Sequence, residues 1–152
     1  MMGVDELAEQ LQLQTTSNRV GVFLGMSVSQ EELDRLDLKL NFASVDIVER
    51  VLSRVPVSST FIGLDANQFL MLVDAISEGV YDRTTVLLRN FDVVLARFTD
   101  SDRTAIWTFL RENLRKRRTS LAIALPESAE HLFLNSERQR WQGAHMLARL
   151  TF

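Results

Sequence analysis

Short, wholly apolar runs alternate with amphipathic stretches along this chain, and that alternation predicts its layout. Val20-Gly21-Val22-Phe23-Leu24, Val86-Leu87-Leu88 and Leu121-Ala122-Ile123-Ala124-Leu125 carry no polar residue on either side of a pleat. Such runs suit strands buried on both faces, as in parallel sheets. The spans expected from them are 19–25, 84–91 and 121–125, the last ended by Pro126. Polar and apolar positions alternate over Lys39, Leu40, Asn41 and Phe42, which predicts a further short strand over 39–43. A closing strand is expected over 145–151.

Helical spacing fills the intervals. Leu7, Leu11 and Leu13 mark a helix from Asp5 to about Gln14. Ser29 followed by Glu32 has the form of a capping box, with Val28 and Leu33 spaced as a hydrophobic staple, so a helix is expected over about 29–36. Ser44 to Arg54 places Ile47, Val48, Val51 and Leu52 on one face before Pro56 stops it. The polar Ser58-Ser59-Thr60 leads to Asp65 and Gln68, which cap a helix to about Ser77, stopped by Gly79. Val93 to Ala96 reads as a turn or short helix. Ile106, Phe109, Leu110 and Leu114 form the stripe of a helix from Ser101 to about Arg118, with acids at its start and bases at its end as the helix dipole favours. A short helix over about 127–133 follows. Strands alternating with helices predict a three-layer α/β sandwich with a mainly parallel sheet, as one domain over 1–152.

Composition narrows the function. A net charge of -3 argues against a protein whose main work is coating nucleic acid. Without cysteine there is no thiol catalysis, disulfide or Cys-based zinc site. The acidic start, Met1 to Glu6, lacks the basic-then-apolar order of a secretory signal, and no apolar run is long enough to span a bilayer. A cytoplasmic location is expected.

The turn after the first strand carries the main chemical argument. A nucleotide-binding α/β domain places its phosphate cradle there, with glycines to let backbone N–H groups close on the anion and a lysine for the outer phosphates. This chain has Met26-Ser27-Val28-Ser29-Gln30-Glu31-Glu32, without a further glycine or a lysine and with two carboxylates. Its only lysines are Lys39 and Lys116.

The order of elements nonetheless resembles a small P-loop NTPase core. Leu38 to Ser44 is similar to the second strand and helix entry of the small P-loop (BrxF) family of type-3 BREX phage-defence systems. Val86-Leu87-Leu88-Arg89-Asn90-Phe91-Asp92 resembles a Walker B strand, and Leu121 to Pro126 lies where a sensor strand would. The departures are the missing Walker A lysine and hydroxyl, Arg89-Asn90 standing before Asp92, and no glutamate after it. A triphosphate and its magnesium would then be largely uncompensated. The resemblance implies a degenerate member retained as a scaffold: a non-catalytic interaction subunit of a larger bacterial assembly, with phage defence as one setting for it, with no cofactor and with protein partners or further copies of itself.

Individual residues leave alternatives open. Asp92 either holds magnesium, caps a turn or pairs with an arginine. His131 and His145 have no metal-ligand spacing, and no serine lies in a hydrolase elbow. Arg115-Lys116-Arg117-Arg118 either offsets a helix C-terminus or docks nucleic acid or an acidic partner. In the nucleic-acid reading Arg138, Arg140 and Arg149 join it, with Trp141 for stacking. Trp107 and Trp141 read equally as core or interface anchors. The apolar ends, with Leu7, Leu11 and Leu13 at one and Met146, Leu147, Leu150 and Phe152 at the other, require burial on this domain or on another chain.

Overall fold

The structure, a computed structural model, describes residues 1–26, 31, 34, 35, 38, 40–54 and 64–149. Five strands make one all-parallel sheet: β1 (Val20–Met26), β2 (Ala43–Asp46), β3 (Thr85–Arg89), β4 (Ser120–Pro126) and β5 (Leu147–Arg149). Their order across the sheet is β2-β3-β4-β1-β5. The expected α/β three-layer sandwich is the fold, with a P-loop-like topology in which β4 lies between β1 and β3. The helices are α1 (Val4–Leu13), α2 (Ile47–Arg54), α3 (Ala66–Ser77), α4 (Phe91–Leu95), α5 (Asp100–Glu112), a 3-10 helix (Glu127–Leu132) and α6 (Asn135–Gly143). Glu31, Asp34, Arg35, Leu38 and Leu40 are also helical.

The period-2 geometry of the strands sorts their side chains into two cores. Val20, Val22, Leu24, Val86, Leu88, Leu121, Ile123 and Leu125 face the larger one, roofed by helices α2 to α6. Each fully buried side chain of this size contributes roughly 1.5–3 kcal/mol. Aromatic rings knit that roof: Trp107 stacks on Phe133 with centroids 4.1 Å apart, and Trp141 meets both edge-on. The opposite face is built from smaller groups, Ala122, Ala124 and Ala148 with Phe23 and Leu87, under Leu7, Ala8 and Leu11 of α1. Gly21 lets α1 come close: a Cβ there would lie 2.9 Å from Leu11 Cδ1 and 3.2 Å from Leu7 Cδ1.

Several boundaries differ from the expected ones. The strand placed at 39–43 lies at Ala43–Asp46 instead, because Leu40 is helical and Asn41 turns the chain at φ 57°. The helix expected from Ser44 starts at Ile47, since the Asp46 carboxylate accepts the Val48 N–H at 3.0 Å and takes over the capping role. The strand expected through Phe91 stops at Arg89; Asn90 at φ 61° then turns the chain into α4, which is the short helix read near 93–96. The helix expected to reach Arg118 ends at Glu112, with the basic run in the loop beyond. The last strand begins at Leu147, after His145 turns at φ 59°. The Asp65–Gln68 capping box is formed, with the Asp65 carboxylate accepting the Gln68 N–H at 2.7 Å and the Gln68 amide oxygen accepting the Asp65 N–H at 3.2 Å. The other expected box and staple, at Val28, Ser29, Glu32 and Leu33, and the ends Leu150 and Phe152 lie outside the described residues. Of the apolar ends, Leu7, Leu11, Met146 and Leu147 are buried within the chain, whereas Leu13 is 64% exposed. No described helix is long and apolar enough to cross a membrane.

Candidate functional site

Open parallel sheets bind ligands outside the carboxyl ends of their strands. At that edge Gly25, next to last in β1, has a φ of 85° that favours glycine. β3 ends in a cation. The Arg89 guanidinium lies 2.7 Å from an Asp34 carboxylate oxygen, with Arg89 16% and Asp34 58% exposed. Asp46 at the tip of β2 stands opposite Arg89 in the ladder, and its carboxylate serves the start of α2. The polar group that ends β3 is therefore a paired arginine.

Asp92, the weak magnesium candidate, is off the strand in the first turn of α4. Burial pushes its carboxyl above the ordinary aspartate range, against the pull of hydrogen bonds from the N–H groups of Asp92 and Val93. Its place in that first turn puts the carboxyl near the N–H groups at the start of α4. Among the described residues no group of three or more His, Cys, Asp or Glu is placed to hold a metal.

The second candidate lies at the other end of the sheet, in the loop entering β4. Arg115, Lys116 and Arg118 are exposed, and Lys116 adopts φ 59°. Arg117 is used internally: it reaches Asp74 at 2.9 Å and Glu78 at 2.6 Å near the end of α3, and donates to the Asn113 carbonyl at 3.3 Å. The run thus divides, with one residue offsetting a helix terminus and three facing solvent. Residues 14–19 hold the loop. The Lys116 N–H donates to the Ser17 carbonyl at 2.8 Å, Gln14 Nε2 to the Arg118 carbonyl at 3.0 Å and Arg19 Nε to the Arg117 carbonyl at 2.9 Å, while Arg115 donates to the Ser17 hydroxyl. Partial burial pulls Arg19 below its ordinary value.

The other basic residues do not join this loop. Arg138 and Arg149 both turn to Glu130, which follows the far end of β4, about 20 Å along the strand. Arg138 also donates to the Glu130 and Phe133 carbonyls, at 2.7 and 3.2 Å. Arg140 is 64% exposed, 3.7 Å from Glu137. Trp141 is fully buried in the aromatic cluster, so its ring is not presented for stacking; Trp107 is likewise core, donating to the Leu132 carbonyl at 3.0 Å. His131 and His145 are exposed.

Sequence reasoning overlooked Arg89, although it is the first polar residue after Val86-Leu87-Leu88. It also overlooked Gln14, Ser17 and Arg19, whose role depends on contacts spanning about a hundred positions and leaves no local signal. No protein-family model, no curated protein and no solved structure matches this chain.

Proposed function

We propose that this chain is a non-catalytic interaction subunit that works inside a larger assembly. The observation carrying this reading is the Arg89–Asp34 ion pair at the carboxyl edge of the sheet. Magnesium-nucleotide chemistry needs an uncommitted acid near that edge and donors for the phosphates. Here the strand tip supplies a cation already neutralised by a carboxylate, Asp46 is engaged in capping, and Asp92 is drawn into α4. Phage defence as the setting rests on the family resemblance of residues 38–44 and 86–92.

Two measurements test the reading. Isothermal titration with magnesium-ATP should give no saturable heat up to millimolar nucleotide; micromolar binding with turnover overturns it. Gel filtration of a host extract should place the chain well above its monomer mass, whereas elution as a free monomer would remove the assembly.

A further inference from the structure

Ion pairs take up part of the positive charge, and among the described residues Arg19, Arg50 and Arg83 stand outside them. Arg89, Arg103, Arg111, Arg117, Arg138, Arg140 and Arg149 each pair with a carboxylate. Among the described residues no carboxylate pairs with Arg115, Lys116 or Arg118, although the whole chain is acidic. Nor do these three serve helix ends. Asp74 and Glu78, at the end of α3, and the Asn113 carbonyl after α5 are taken by Arg117.

Two exposed aliphatic residues bracket the same loop. Leu13, 64% exposed, precedes the Gln14 that holds the Arg118 carbonyl. Val80, 77% exposed, follows the Gly79 whose carbonyl accepts the Thr119 hydroxyl at 2.7 Å. Val80 also lines an open, mostly polar cleft of about 500 Å³ together with Phe42, Tyr81, Asp82 and Arg83. The loop backbone is tied at Lys116, Arg117 and Arg118 by residues 14–19. Holding the cations in place before binding reduces the ordering cost of association.

We propose that this pole, formed by Arg115, Lys116, Arg118, Leu13 and Val80, is the surface through which the subunit docks an acidic, aliphatic-bearing segment of a partner protein. The inference deepens the interaction-subunit reading and rests on it. Unpaired cations favour a partner rich in Asp and Glu, through complementary potential that steers encounter and rejects other partners. The flanking aliphatics give that segment something to bury, which a phosphate backbone would not use. Nucleic acid would draw on the same cations through its phosphates alone, which makes it the competing outcome of the test.

The test is photocross-linking inside the assembly, with benzoylphenylalanine placed at position 118 or, as a control, at the exposed position 97. Position 118 should cross-link to one protein component, and the captured peptide should be rich in Asp or Glu with aliphatic neighbours. The R115E/K116E/R118E variant should leave the assembly while keeping the wild-type melting curve. The milder R115Q/K116Q/R118Q variant, which covers failure of the first to fold, should weaken association at least about tenfold. L13S/V80S should weaken it several-fold. A nuclease-sensitive cross-link, a captured peptide without acids, capture from 97 alone, or a folded charge-reversed variant that stays bound each overturns this surface. If the wild-type chain elutes as a monomer, the interaction-subunit reading itself falls.

Discussion

Burial works against the charge on Asp92. Its carboxyl titrates above the ordinary aspartate range in the folded state, so between the unfolded and folded values the native protein binds more protons than the unfolded chain. Stability from this group therefore falls as pH rises through that window, and the deficit persists above it. Asp92→Asn keeps an oxygen for the local N–H groups and removes the charge. The variant should be at least as stable as the parent at pH 7, with any gain shrinking as the pH is lowered toward the ordinary aspartate value. Thermal melts across that range check this, and a clear loss of stability at pH 7 would show that the charge is needed. The apolar run Val86-Leu87-Leu88 made the strand legible, but not the side chain that tops it. That depends on Asn90 taking φ 61°, which places Arg89 at the tip and carries Asp92 into a helix.

Between elements, the strongest polar joint links α5 to α6. Glu137, 3% exposed, accepts from the Thr108 hydroxyl at 2.8 Å and from Arg111 Nε at 3.2 Å, with Arg111 only 14% exposed. Removing Glu137 would leave Arg111 with Glu112 alone, at 3.0 Å, and take the acceptor from the Thr108 hydroxyl. Glu137→Ala should lower the unfolding free energy by about 1–3 kcal/mol. Urea denaturation measures it, and a loss below about 1 kcal/mol would place the joint among ordinary surface pairs. The sequence was informative where a cap is a local bond, as at Asp65 and Gln68, and less so where a helix stops. Leu114 continued the apolar stripe of α5 and is indeed buried, yet it follows the helix end; the chain leaves at Asn113 for the turn at Lys116. Burial alone does not tell a helical residue from one that folds back beside it.

Across the whole molecule, one sheet separates a large core containing both tryptophans from a thinner one that contains neither. The strands belong to both, so the two layers should unfold together. Tryptophan fluorescence and far-ultraviolet circular dichroism should then give the same urea midpoint. A circular-dichroism change that precedes the fluorescence change would mean that α1 peels away first. Fold class was legible because three apolar runs marked the central strands; the candidate surface was only half legible, since the sequence displayed its cations but not the contacts that fix them. The ion pair at the sheet's carboxyl edge also limits what small mutational steps can achieve. An acid installed at position 89 would replace the Arg89 cation beside Asp34 with a negative group and stand opposite Asp46 across the ladder, three negative groups around one strand tip. Gaining a divalent-cation foothold there calls for coordinated replacements, so single-step variants should cross a valley of weaker folding before any new chemistry rewards them.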